Sequence, residues 1–140
     1  MLLMMLYAIY SAVKSFFGGR KFSKTDEKLR KYVMIFAHIQ LIMGIWLYLA
    51  SPMIHDFWGN FKVAVHIKAM RFFAMEHSVM MILSIAVITI GAILTKRMKT
   101  EDHKVKMQLV WLVVALAMIL VSIPWEFNPW VEGRPYFRGF

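Results

Sequence analysis

The chain has 140 residues, of which 60% are hydrophobic and only 18% are charged, and its formal net charge is +9. An average soluble domain is about 25% charged, so this composition excludes a disordered chain and an ordinary soluble enzyme and favours a membrane protein. The sequence contains no cysteine, which excludes disulfides, iron–sulfur ligation and cysteine nucleophiles.

Four apolar blocks follow one another along the chain, and we interpret each as a transmembrane helix. They cover residues 1–17, 31–50, 72–95 and 107–123. The first block is short, because a bilayer core of about 30 Å needs about 20 helical residues. Lys14 near its end can reach the interface with its charged group and so make the fit acceptable. Pro52 and Pro124 follow the second and fourth blocks and are expected stop signals.

Basic residues are concentrated in the two loops 18–31 and 96–106. Together with Lys14, these loops hold 12 of the 17 lysines and arginines. The positive-inside rule then places both loops in the cytoplasm and both termini outside, in a bacterial inner membrane. Because this rule accounts for the charge, nucleic acid is not an expected partner. The expected partners are the lipid bilayer and other membrane protein subunits.

Small residues recur at a spacing of seven within three of the predicted helices. Helices in lipid associate closely where such residues let their backbones approach, and a seven-residue repeat implies left-handed, nearly antiparallel packing. The sequence therefore predicts an all-α polytopic membrane protein, an up-down-up-down four-helix bundle forming one domain over residues 1–140. The predicted seams are Ala37, Gly44 and Ser51; His77, Ser84 and Gly91; and Ala115 and Ser122.

Aromatic residues are concentrated on the outer side of this predicted topology. Phe61–Phe73 has a helical spacing of apolar residues and is predicted to form an interfacial helix that leads into the third span. The tail after Pro124 is rich in aromatic residues, which favour the headgroup layer. We expect that tail to lie along the outer interface.

Four polar side chains fall within or at the edge of the predicted spans, where an ionisable group is a functional hypothesis by default. They are His38, Gln40, Glu76 and His77. His77 shares a stripe with the small residues of its helix and should face the bundle interior, where it either bonds to a neighbouring helix or ligates a metal or haem iron. For Glu76, an interfacial ion pair with Arg71 or Lys68 is favoured over a proton-carrying role.

His38 and His77 are predicted to lie at different depths. A count of 1.5 Å per residue puts His38 about 9 Å inside the cytoplasmic boundary and His77 about 7 Å inside the outer one. In a core about 30 Å thick, their depths differ by about 13 Å, whereas two axial nitrogens on one iron lie about 4 Å apart. The two histidines are therefore not expected to share one haem, and a methionine is the alternative second ligand.

Two long stretches resemble a family of small four-helix membrane proteins of Bacteroidetes that is described as cytochrome b-like. They are FSKTDEKLRKYVMIFAHIQLIMGIWLYLASP and RFFAMEHSVMMILSIAVITIGAILTKR. The resemblance implies haem b and electron transfer, with His38 and His77 as cofactor-binding residues and His77 as the haem-iron ligand. Members of the family begin earlier, with a histidine- and tryptophan-bearing opening. Either this chain is truncated at its start relative to them, or it lacks that potential second ligand.

Three functions follow from these observations. The first is an electron-transfer component, cytochrome b-like, associated with a larger membrane complex. The second is a cofactor-free structural or accessory subunit of a membrane assembly. The third, a transporter of protons or small ions through Glu76, His77 and Gln40, ranks last because the sequence shows no inverted repeat and no broken central helix. No acid–base or nucleophile set is visible, so any enzymatic role is at most that of a redox subunit.

Overall fold

A computed structural model describes residues 1–125, and within this range every regular element is helical. Four longer helices are α1 (Leu2–Phe17), α2 (Lys24–Ala50), α6 (His77–Arg97) and α7 (Glu101–Ser122). Between α2 and α6 lie the short helices α3 (Pro52–Gly59), α4 (Phe61–Ala64) and α5 (Lys68–Arg71), followed by a π-helical turn over Phe72–Glu76. The aromatic tail predicted to follow the outer interface lies largely outside the described residues.

Three stretches are long and apolar enough to cross a membrane. They are Lys24–Ala50, the continuous run Lys68–Arg97 with 30 residues, and Glu101–Ser122. The first predicted span corresponds to α1, which has 16 residues and falls below the length of the others. The prediction of an all-helical fold is therefore confirmed, and three of its helices are long and apolar enough to span a membrane.

The helix boundaries have local causes. At the start of α2, the Ser23 side chain accepts a hydrogen bond from the backbone of Asp26, whose carboxylate in turn accepts one from the backbone of Ser23. This reciprocal cap begins the helix seven residues before the predicted span, because charged residues continue the helix beyond the apolar block. At its other end, Pro52 occupies the first turn of α3, and α2 stops before it as predicted.

The interfacial segment differs from its prediction. Instead of one helix over Phe61–Phe73, the chain forms α4 and α5 with a break at residues 65–67. Ile67 has the extended backbone angles φ −85° and ψ 104°. Val65 and Ile67 are β-branched and have low helix propensity, which explains why the apolar spacing alone did not produce a continuous helix.

The four longer helices pack in a ring of neighbours. α1 contacts α2 and α7, and α6 contacts α2 and α7. Arg30 near the start of α2 is hydrogen-bonded to Ala92 near the end of α6, and His77 at the start of α6 is hydrogen-bonded to Ser122 at the end of α7. α2 and α6, and likewise α6 and α7, therefore run antiparallel. The shared core draws apolar side chains from all four helices, including Met5, Val33, Ile88 and Leu112.

Two of the three predicted seams are buried except for the half-buried His77, and the third is only partly buried. Ser84, Gly91, Ala115 and Ser122 all lie inside the packed region. A Cβ atom added to Gly91 would come within 2.2 Å of Trp111 Cγ, so glycine is required for this approach of α6 and α7.

On α2, Ala37 is fully buried. Gly44 is exposed, and a Cβ atom added to it would have no neighbouring atom within 4 Å, while Ser51 is half-buried. The prediction that Gly44 makes a close backbone contact is therefore wrong. α1, with 16 residues, is about 24 Å long, whereas α2, with 27, is about 40 Å long, so α1 leaves part of α2 uncovered.

Candidate functional site

His77 lies at the start of α6, directly after the π-helical turn, and contacts the end of α7. Its Nδ1 atom is 2.8 Å from the carbonyl oxygen of Ser122. Because a carbonyl only accepts, Nδ1 carries the proton and donates it. Ser122 is the last residue of α7, and the final carbonyls of a helix lack partners within that helix. His77 therefore satisfies one of these carbonyls and joins the two helices at this end.

The surroundings of His77 are mostly apolar. The rings of Phe72 and Phe73 lie 6.0 Å and 6.2 Å from the imidazole, measured between centroids. The Ser122 hydroxyl is 2.8 Å from the carbonyl of Ile119 and 3.3 Å from the sulfur of Met81. His77 is half-buried, and its ring points towards the neighbouring helix, as the stripe of small residues predicted.

Glu76 lies in an ion pair with Arg71. The Arg71 Nε atom donates to Glu76 Oε1 over 2.8 Å, and each side chain is about one-third exposed. These residues are five apart, a separation that a π-helical turn brings onto one face because its residues repeat more slowly around the axis than in an α-helix. The ion pair that the sequence favoured for Glu76 is present.

His38 lies on the exposed side of α2. Its Nδ1 is 2.8 Å from the Met34 carbonyl one turn earlier, and its Nε2 is 3.5 Å from the hydroxyl of Thr89 on α6. Thr89 comes 12 residues after His77 in the same helix, which corresponds to about 18 Å along the axis. The structure does not bring His38 and His77 together, in agreement with the predicted difference in depth.

The fit of a haem to these residues can be tested against the packing of the core. The interior between the four helices is filled by side chains with no exposed surface, among them Ala8, Ala37, Ile88, Leu112 and Ala115. Among residues 1–125, no three histidine, aspartate or glutamate side chains are grouped to hold a metal ion. The buried residues of the described chain include no histidine, so the packed core itself offers no imidazole to a haem iron. His77, at the edge of the bundle, presents an imidazole that is oriented by a bond to a neighbouring helix.

A buried polar cluster at the opposite end was not predicted. Asp26 is 1% exposed. Its carboxylate accepts hydrogen bonds from the Ser11 hydroxyl at 2.6 Å, from Arg20 at 3.0 and 3.1 Å, and from the backbone and hydroxyl of Ser23, both at 2.8 Å. We call these four residues the Asp26 cluster. Its sequence signal was the spacing of Ser23 and Asp26, which is typical of a helix cap.

Two further buried polar residues were also missed. Arg30 is 4% exposed and donates from Nη1 to the carbonyl of Ala92 over 3.0 Å, which joins α2 to α6. Gln108 is fully buried, and neither its amide nitrogen nor its amide oxygen has a hydrogen-bond partner within the described residues. Its signal was the same spacing of seven, since Gln108 precedes Ala115 and Ser122 by one and two such steps.

Comparison of the chain with models of protein families, with curated proteins and with solved structures gives no match. The resemblance to cytochrome b-like proteins therefore remains an expectation from the sequence.

Proposed function

We propose that this chain is an integral membrane subunit that binds a larger membrane assembly and acts as a cofactor-free accessory component. In this proposal α1, α2, α6 and α7 cross a bacterial inner membrane as an up-down-up-down four-helix bundle. The ring of contacts among these helices supports that arrangement. The concentration of basic residues in loops 18–31 and 96–106 supports a cytoplasmic position for those loops and an outer position for both termini.

The observation that carries the proposal is the uncovered second half of α2, which includes Gln40. Only 11% of its apolar stretch is buried, compared with 33% for Lys68–Arg97 and 39% for α7. His38 and Gln40 lie on exposed positions within that stretch. The Gln40 side chain has no hydrogen bond to any residue in 1–125. An amide facing hydrocarbon without a partner is costly.

A neighbouring membrane subunit would remove this cost. Interhelical hydrogen bonds from histidine and glutamine are among the contacts that hold transmembrane helices together. Gly44 lies one turn beyond Gln40 on the same helix and is also uncovered, so a partner helix can approach the α2 backbone closely there. We assign this face to the partner subunit.

Site-specific photo-crosslinking in native membranes tests the assignment. A crosslinking residue at position 40 should give an adduct of one discrete mass in cells that contain the assembly. The same residue at position 113 is the matched control, because Val113 is exposed on α7 but has no polar neighbour of this kind. Adducts of equal yield at both positions, or none at position 40, would contradict the proposed docking face.

The second candidate function is the electron-transfer role implied by the sequence resemblance, with haem b as cofactor. The observation that favours it is the orientation of His77. A backbone carbonyl holds Nδ1 and leaves Nε2 without a hydrogen bond in the described residues, which is the arrangement found around metal-ligating histidines. A bound haem would supply one-electron transfer, and the filled interior would restrict its position to the outside of the bundle.

An optical spectrum separates the two candidates. Protein purified in mild detergent should show no Soret band if the chain is a cofactor-free subunit. A Soret band that disappears in His77→Ala but persists in His38→Ala would favour the cytochrome role. Material purified together with its assembly serves as the control for haem lost during detergent extraction.

A further inference from the structure

A cleft opens at the end of the bundle that carries the basic loops. It lies between the start of α2, the end of α6 and the start of α7, and it has a volume of about 250 Å³. This is several times the share of about 30 Å³ that one water molecule takes in the liquid. The charged side chains that line it are Lys24, Glu27, Arg30, Lys96, Glu101 and Lys104.

The lining has an excess of positive charge that the protein does not neutralise. It contains four cations and two carboxylates. Both carboxylates are already paired, since Glu27 lies 3.2 Å from Lys31 and Glu101 lies 2.8 Å from Lys104. Lys24 and Lys96 form no ion pair with any residue of the described chain. An anion that enters the cleft therefore meets two uncompensated ammonium groups.

Arg30 gives the cleft a fixed, buried cation. Its side chain is 5% exposed, and its bond to the Ala92 carbonyl holds the guanidinium in place. The nearest carboxylate oxygen, on Glu27, is 3.7 Å away, longer than a charge-assisted hydrogen bond of about 2.7–2.9 Å. A guanidinium has five N–H donors. Arg30 therefore keeps donor capacity and positive charge for a further acceptor.

The N-terminal ends of two helices border the cleft, and of the two that of α2 is already capped by Ser23 and Asp26. Lys24 and Glu27 lie in the first turn of α2, and Glu101 and Lys104 in that of α7. The first N–H groups of a helix lack intrahelical partners and carry partial positive charge, which favours phosphate and other anions. The α7 end has no side-chain cap.

We propose that this cleft binds a phosphate-bearing anion, and that in the membrane this group is the phosphate of an anionic phospholipid headgroup. Basic pockets between transmembrane helices are typical sites for such headgroups. The cleft lies at the end of three candidate membrane helices, where α2, α6 and α7 leave the apolar layer. Phe22 also lines it and offers an apolar surface next to the headgroup. The proposal does not depend on the partner that we assign to the α2 face.

Delipidated protein in detergent provides the test, with thermal unfolding as the readout. Added phosphatidylglycerol should raise the midpoint, and phosphatidylcholine should not. The variant K24Q/K96Q should weaken the response to phosphatidylglycerol by about tenfold or more in half-saturating concentration. The control K21Q/K28Q removes the same amount of charge from the basic loop 18–31 but none from the cleft lining, and it should respond within about twofold of the unchanged protein.

Inorganic phosphate and native mass spectrometry separate the sources of the anion. A shift of the midpoint by millimolar phosphate, with no further effect of phosphatidylglycerol, would support the cleft as a phosphate site but assign it to a free anion. Phosphatidylglycerol retained by the unchanged protein and lost from K24Q/K96Q would support the lipid. An equal loss of response in both double variants would show attraction to diffuse surface charge and overturn the site. A normal response in K24Q/K96Q would overturn it as well.

Discussion

Helices α6 and α2 carry the same spacing of small residues but use it differently. On α6, Ser84 is fully buried and Gly91 lies against the side chain of Trp111. On α2, only Ala37 is fully buried, and Gly44 has open space beside it. A seam of small residues therefore shows that a close approach is sterically allowed. Whether the approach takes place depends on whether a neighbouring helix reaches that position.

The length of the neighbouring helix explains the difference. α6 and α7 have 21 and 22 residues and pack along most of their length. α2 has 27 residues and lies next to α1, which has 16. Near the end of α2, the Tyr48 hydroxyl donates to the Ala74 carbonyl of the π-helical turn over 3.0 Å. The uncovered half is the part that we assign to another subunit.

The largest expected difference in stability is between substitutions of the two glycines, Gly91 and Gly44. Gly91→Leu should destabilise the protein by about 4 kcal/mol or more, because even a Cβ atom collides with the Trp111 side chain. Gly44→Leu should change the stability of the purified chain by less than about 1 kcal/mol, since glycine is unfavourable in a helix and the space beside it is open. Thermal or denaturant unfolding in detergent measures both.

Gly44→Leu should instead affect the binding of the partner subunit. A bulky side chain at the docking face should reduce the yield of the crosslinked adduct at position 40 while the purified chain stays stable. Equal destabilisation by the two substitutions would show that α2 is covered along its whole length. The assignment of its outer half to a partner would then fail.

Polar contacts of the Asp26 cluster hold the covered half of α2 in place. The second prediction concerns the substitution of Asp26. Asp26→Ala should cost about 2 kcal/mol, because it leaves the Ser11 hydroxyl and the Ser23 backbone amide without their acceptor. This figure is kept low because the Arg20 side chain is 43% exposed and regains water. Asp102→Ala is the control, as Asp102 is exposed in the first turn of α7. Similar losses in both variants would contradict the role of the Asp26 cluster.

The sequence predicted the elements better than it predicted their contacts. Apolar blocks and the proline stops located the long helices, and the stripe that contains His77 gave the direction of its ring. The exposure of Gly44 could not be predicted, because a contact at this position depends on the length of the neighbouring helix α1. Arg30 was counted only as loop charge and Asp26 was not singled out, although both are buried. A charge pattern gives the side of the membrane, but it does not show which charged groups hydrogen-bond within the protein.

The third seam lies on α7, and here a substitution is expected to increase the stability of the protein. Gln108 precedes Ala115 by seven residues and is fully buried with an unbonded amide. Gln108→Leu should stabilise the protein by about 1–2 kcal/mol, because a side chain of similar volume replaces a polar group that has lost its contacts with water. Gln40→Leu should leave the stability of the purified chain nearly unchanged. Destabilisation by Gln108→Leu would indicate that the amide has an essential partner, such as a buried water.

The smallest prediction concerns His77, which closes the α6–α7 seam at the end opposite Gly91. His77→Phe keeps a planar ring but removes the donor to the Ser122 carbonyl, and it should cost about 1 kcal/mol, as for other hydrogen bonds between membrane helices. His77→Asn should recover most of this loss, because the asparagine amide nitrogen occupies nearly the position of Nδ1 and also donates. On α2, His38→Phe should have no measurable effect in the purified chain, because His38 is exposed and its short hydrogen bond is to its own helix. If asparagine fails to rescue while phenylalanine is tolerated, ring packing between Phe72 and Phe73 stabilises this end of the seam, and the hydrogen bond to α7 does not.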